Sequence, residues 1–284
     1  MFIENVSQEL AKILHLHLDK DHLKWMEGKI DGIIEEKSSK DLYLTYSLMA
    51  SKINPIPLDK MPSGENEVIQ YLETQNANLL QIGRVYLLIR VLEADENFFF
   101  NKVENIIQVS DTGELETFLK FLVLMPNSGN YRNVAVEALR TNIATIFDAI
   151  SLNNPYPSMF FNDQQWNQMY LKAAFMERDL SLITDIEARA NKDLVRIISD
   201  YAHERWAASR KVDPYFWRPV GRFLNDTLVE DMNRLFLSED EKDHMAAALA
   251  CSISENPKAK ALLEKYPQIK NKLDQGLISW SKIN

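Results

Sequence analysis

A single cysteine, Cys251, stands in a chain of 284 residues. That excludes an internal disulfide and a zinc site built on cysteines, and it suits a reduced, cytoplasmic setting. Glycine is scarce, with 8 residues and no glycine-rich loop. This argues against a phosphate-cradling loop and against a sheet protein with many tight turns. Basic residues are outnumbered 32 to 41, for a net charge of −9. A nucleic acid or an anionic membrane surface would therefore find no basic stripe to attract it. The apolar run Phe121–Met125 falls far short of the roughly 20 residues of a transmembrane helix, so no transmembrane segment is expected. The opening residues Met1 to Asn5 lack the basic start and apolar run of a signal peptide.

Familiar catalytic patterns are also missing. No Gly-x-Ser-x-Gly occurs. His203-Glu204 begins like a zinc-protease motif, but the position of the second histidine is Ala207. His15 and His17 are two apart on a helix and point in different directions. Asn225-Asp226 is a poor substitute for the aspartate-rich metal motif of terpene cyclases. No metal and no cofactor is expected.

What is present is helical periodicity. Ile3, Val6, Leu10, Ile13, Leu14 and Leu18 make one apolar stripe over 3–18. Asp21 is positioned to cap a helix through Glu36, and Ser39 a third through Ile53, before prolines open a loop over 54–64. Helices are predicted over 65–75, 79–94, 95–108 and 113–125, with Asp111 or Thr112 capping the last. The 79–94 stretch is apolar on most of its circumference and reads as a central, covered helix. Pro126-Asn127-Ser128-Gly129 is the clearest break. It suggests an N-terminal region 1–126 and a C-terminal region 130–284, either separate or continuous. Beyond it, helices are predicted over 132–150, 163–176, 180–188, 192–209, 215–224, 227–237 and 239–252, with a final pair after Pro257. No stretch alternates with period two. The fold class expected is all-α, a HEAT-like superhelix of antiparallel helical pairs without a β-sheet.

Polar residues crowd among aromatics between 131 and 221. On the 192–209 helix, Arg205 falls within the apolar arc formed by Leu194, Ile197, Ile198, Tyr201, Ala202 and Ala208, where a charge needs a partner. Asp148, near the C-terminal end of its helix, needs a cation to offset the macrodipole. An Asp148–Arg205 ion pair is expected, with Arg140 or Lys172 as alternatives for Asp148. Asn167 is wedged between two apolar arcs and needs a hydrogen-bond partner. Each of these residues alone has a plain structural reading, as ion pair, turn or packing. Together Asn154, Tyr156, Trp166, Asn167, Lys172, His203 and Arg205 are candidates to line one ligand-binding groove. His203, with Asp200 or Glu204 beside it, and Asp148 are the candidate general bases.

The runs Thr141-Asn142-Ile143 to Phe147-Asp148-Ala149-Ile150, Leu152 to Pro157, Trp166 to Met169 with Leu171-Lys172-Ala173, Asp200 to Ala208, and Trp217 to Gly221 resemble the EboA family of bacterial proteins. The resemblance spans about 131–221, extends weakly toward Ser252 and says little of the first 125 residues. It implies a place beside a membrane prenyltransferase homologue, a sugar-cyclase-like enzyme, a TatD-like hydrolase and an isomerase. The resemblance implies a link to making or exporting a small metabolite, including the handling of a sunscreen-pigment precursor in cyanobacteria. The resemblance carries over no catalytic residues. Two functions are therefore expected of different kinds. One is a non-catalytic scaffold that binds a pathway protein or a small-molecule intermediate. The other is an enzyme acting on an isoprenoid or aromatic intermediate.

Overall fold

Short polar side chains start most helices of the chain by capping their free N–H groups. Asp19 accepts from Asp21 N and His22 N, Ser38 from Asp41 N, and Asn66 from Val68 N. Asn78 with Gln81, Asp111 with Glu114, and Asn162 with Gln165 form reciprocal capping boxes. The computed structural model describes residues 5–62 and 66–283. The expected helix start at Ile3 and the residues around Glu65 lie outside them. Among the described residues there are helices and no strand, apart from one isolated bridge between Pro57 and Asn78. The chain is all-α.

The residues cluster into two compact units that divide between Tyr156 and Pro157. The first holds α1 (Val6–His17), α2 (Lys20–Glu36), α3 (Ser39–Leu48), α4 (Glu67–Thr74), α5 (Leu79–Glu104), α6 (Ile106–Val109), α7 (Thr112–Lys120), α8 (Arg132–Ala138) and α9 (Ala144–Ser151). The short α10 (Tyr156–Phe160) sits at the division. The second unit holds α11 (Asp163–Phe175), α12 (Lys192–Ala207), α13 (Asp226–Phe236), α14 (Glu241–Ser252), α15 (Pro257–Glu264) and α16 (Pro267–Asp274).

In the first unit α5 is central, as its apolar circumference requires. Every residue from Ile82 to Ile89 is buried, and α1, α2, α3 and α7 pack around it. A Cβ on Gly83 would lie 2.9 Å from Ile53 Cδ1, so the bare backbone there lets the 49–53 turn come close. Buried Arg84 is closed by Glu114 at 3.4 Å and by the Tyr46 carbonyl at 3.2 Å. The Pro126–Gly129 break falls inside this unit, where Tyr131 packs fully buried against Phe100 and Phe118.

The second unit depends on small residues. Ala246, Ala247, Ala248, Ala250 and Cys251 of α14 are buried against a 3₁₀ segment, Pro214–Phe223. A Cβ on Gly221 would meet Ile253 Cγ1 at 2.4 Å and the Ala250 carbonyl at 2.9 Å, so only glycine fits that approach.

Several helix boundaries differ from expectation, each for a local reason. The 79–94 and 95–108 helices are joined into one across a kink at Asp95 (φ −154°, ψ 82°), whose carboxylate caps Phe98 N. The expected 132–150 helix is two, broken where Thr141 Oγ1 accepts from Ile143 N and offers the backbone an alternative partner. Over 180–188 only the 3₁₀ turn Leu180–Leu182 forms, and Asp185 adopts a left-handed φ of 58° that ends regular winding. The 215–224 stretch is 3₁₀ rather than α, within Pro214–Phe223, and carries Pro219 inside it. The caps are Asp19 and Ser38 rather than Asp21 and Ser39.

Candidate functional site

Helix α12 carries the longest polar motif of the chain, and its start is fixed by Asn191, whose side chain caps Leu194 N. Ser199 and His203 are four residues apart and share one face. They converge on Asp231 of the neighbouring α13. Ser199 Oγ donates to Asp231 Oδ2 at 2.7 Å, and His203 Nε2 lies 2.6 Å from Asp231 Oδ1. The aspartate side chain is 4% exposed, whereas that of His203 is 50% exposed. A buried carboxylate thus has both oxygens engaged, and one of its partners reaches the surface. Because the serine proton goes to the carboxylate and not to the imidazole, Ser199 is not activated as a nucleophile in the manner of a Ser-His-Asp triad. The arrangement orients an imidazole and leaves half of it in solvent.

Aromatic rings continue from this point. His203 lies 5.7 Å from the ring of Trp206, which stacks on fully buried Trp217 at 5.6 Å and 20°. The Arg234 guanidinium sits 4.2 Å from the centre of the Trp206 ring. Arg205 is held by its Nε donating to the Lys211 carbonyl at 3.0 Å, with Glu177 3.9 Å away.

Two cavities open on different faces of α12. The larger, about 1230 Å³, is lined by Tyr201, Arg205, Trp206, Phe216, Arg234 and Leu237 among others. Leu237 is 72% exposed, an apolar side chain left in water at its edge. The smaller, about 770 Å³, lies nearer the start of α12. His203 lines neither.

The residues anticipated from sequence divide between the two units. Asp148 is half-buried on α9 of the first unit. Asn154 and Tyr156 are buried in the same unit. Asn154 donates to the carbonyls of Leu119 (3.2 Å) and Ala149 (2.8 Å) and accepts from Tyr156 N, while Tyr156 donates from its hydroxyl to the Ser128 carbonyl. In the second unit Trp166 is buried beneath Arg189, whose guanidinium gathers the carbonyls of Pro157, Ser158 and Phe161. Asn167 pairs its amide with that of Asn191. Lys172 is half-buried, and loss of solvent pulls its ammonium below the usual lysine range. Arg140 pairs with Glu137 of its own turn at 2.7 Å. Arg205, placed within the apolar arc, is only partly buried and takes a carbonyl and Glu177 as partners. The carboxylate beside His203 is Asp231 rather than Asp200 or Glu204, and Asp200 pairs with Arg196 at 2.9 Å.

Sequence reasoning missed Asp231, Ser199 and Arg234. One signal was available. Asp231 interrupts the apolar stripe Leu228, Met232, Leu235 of α13, and a charge on such a face needs a partner. Among the described residues no group of three His, Cys, Asp or Glu is placed to hold a metal ion. No described helix is long and apolar enough to cross a membrane.

Comparison with curated proteins and with solved structures finds no match. A family model described as "Metabolite traffic protein EboA" matches residues 6–221, which covers the first unit as well as the motif-rich stretch and ends before Asp231. That match takes in more than half of the sequence, and the chain belongs to the EboA family.

Proposed function

We propose that the protein is a non-catalytic, cytoplasmic component of a metabolite pathway that binds a small-molecule intermediate in the larger cavity of its second unit and passes it to partner proteins. The supporting observation is the position of that cavity. It opens on α12, whose side is motif-bearing, and is closed by residues 234–243 beyond the family match, with ring faces, arginines and carboxylates in its wall, and His203 is not among its lining residues. Its volume suffices for a small organic ligand. Tyr201, Trp206 and Phe216 offer apolar contact, and Arg205 and Arg234 offer fixed hydrogen-bond donors. A HEAT-like stacking of helical pairs would suit such a groove. Trp166 and Asn167 act in this reading by building the frame of the second unit, and Asn154 and Tyr156 that of the first, through the buried hydrogen bonds and packing described above. Native mass spectrometry of the protein purified from its own host tests the proposal. A copurifying small molecule that is lost in Arg205→Ala and Trp206→Leu, with the fold retained, is the expected result. A protein free of any small molecule, yet copurifying with another protein, points to a scaffold without ligand.

The His203–Asp231 contact favours a second reading, an enzyme in which Asp231 orients His203 as general base toward an isoprenoid or aromatic intermediate. Turnover of the copurified metabolite that is abolished by His203→Gln would establish it. Binding that is unchanged by His203→Gln, with no turnover, would exclude it.

A further inference from the structure

The smaller cavity, about 770 Å³, is a site separate from the one just proposed. Three cations line it: Lys192 and Arg196 from α12, and Arg222 from the end of the 3₁₀ segment. Arg196 is neutralised by Asp200 at 2.9 Å. Lys192 and Arg222 have no ion-pair partner among the described residues, and Glu255 is the one lining carboxylate left unpaired against them. Hydroxyls complete the wall. Ser199 and Ser254 are 7% and 4% exposed, and each already uses its oxygen once, Ser199 donating to Asp231 and Ser254 accepting from Asn256 N. Thr227 lies beside them. The helix ends here are already capped by Asn225 and Asn256, so the free binding capacity is in the side chains.

From this geometry we infer that the 770 Å³ cavity binds a phosphate group through Lys192 and Arg222. The planar fork of Arg222 matches two phosphate oxygens, Lys192 supplies a second positive charge, and the Ser254 and Thr227 hydroxyls can donate to the remaining oxygens. Val195, Leu224 and Leu228 form the apolar part of the wall and give room for an organic group attached to the phosphate.

Isothermal titration calorimetry of the full chain with inorganic phosphate and with phenyl phosphate, at constant ionic strength, tests the inference. At least one of the two binds, Arg222→Gln and Lys192→Gln each weaken it about tenfold, and Glu255→Gln tightens it by removing an opposing charge. Lys29→Gln, in the first unit, leaves binding unchanged. Tighter binding of phenyl phosphate identifies a phosphorylated organic ligand, and equal or tighter binding of inorganic phosphate identifies the free anion. The inference is overturned if neither binds up to about 10 mM, or if binding is indifferent to both cation variants. These exposed side chains can be changed without disturbing the core, so loss of folding does not confuse the outcome.

Discussion

Glu114 in the first unit and Asp231 in the second are the two most deeply buried carboxylates of the described residues, and they are resolved in opposite ways. In the first unit Glu114 and Arg84 are 5% and 6% exposed and face each other, with the Tyr46 carbonyl on the guanidinium and the Asp111 backbone N–H on the carboxylate. The Tyr46 hydroxyl closes the group by donating to the Glu114 carbonyl, and burial raises its phenol well above the usual tyrosine range. The cluster stands almost wholly out of water. In the second unit Asp231 is as deeply buried, but its partner His203 keeps half its side chain in solvent and borders a row of rings. A buried charge answered by another buried charge fixes a core. One answered by a surface group links the core to whatever arrives at that surface. The first cluster is sealed inside its unit, whereas the second joins a buried carboxylate to a half-exposed imidazole.

The largest effect that would break this contrast is at Arg84. Arg84→Ala strands the Glu114 charge and should destabilise the protein by about 3–5 kcal/mol in urea unfolding, whereas Arg84→Met with Glu114→Leu should cost far less. Close behind comes Gly221→Ala, which drives a methyl group into Ile253 and the Ala250 carbonyl and should cost about 1–3 kcal/mol by the same measurement.

The second cluster should be more forgiving. Asp231→Leu removes the acceptor of Ser199 and His203 and should cost about 1–3 kcal/mol, while His203→Gln should cost less than about 1 kcal/mol because the ring is half in water. Equal losses at both positions would erase the distinction drawn between the oriented surface group and its buried anchor.

The smallest effect is at Cys251. Burial in α14 pushes its thiol from an ordinary 9.0 up to about 12. A folded-state value above the unfolded one means that the contribution to stability is complete below pH 9 and is lost as pH rises toward 12. Iodoacetamide at pH 9 should therefore label Cys251 only as fast as the protein opens, and rapid labelling of the folded chain would contradict its burial.

Much of this fold can be read from residue order, and the exceptions have common causes. Helix α5 is legible because apolar residues surround it, and its capping box of Asn78 and Gln81 is written in the sequence. The kink at Asp95 and the break at Thr141 are less so, because a short polar side chain there competes with the helix for a backbone N–H, and the outcome depends on the turn around it. At the candidate site the motif on α12 directs attention to His203 and Arg205. Their partners come from elsewhere, Asp231 from α13 for His203 and the Lys211 carbonyl from the following loop for Arg205, while Arg234 of α13 lies over the adjacent Trp206, and pairing across helices leaves no mark at fixed spacing. Asn154 shows the converse. It stands out as a polar residue before Pro155, and its role is internal, satisfying two carbonyls and a backbone N–H.

Hydrogen–deuterium exchange tests most directly the claim that ligand binding belongs to the cavity beside Trp206. The protein as purified, with its metabolite bound, is compared with the same protein after the metabolite has been extracted. Extraction should speed exchange over residues 201–216 and 234–243, which line that cavity, and leave 79–120 of the first unit unchanged. A change confined to 79–120, with 201–216 and 234–243 unaffected, would contradict the account.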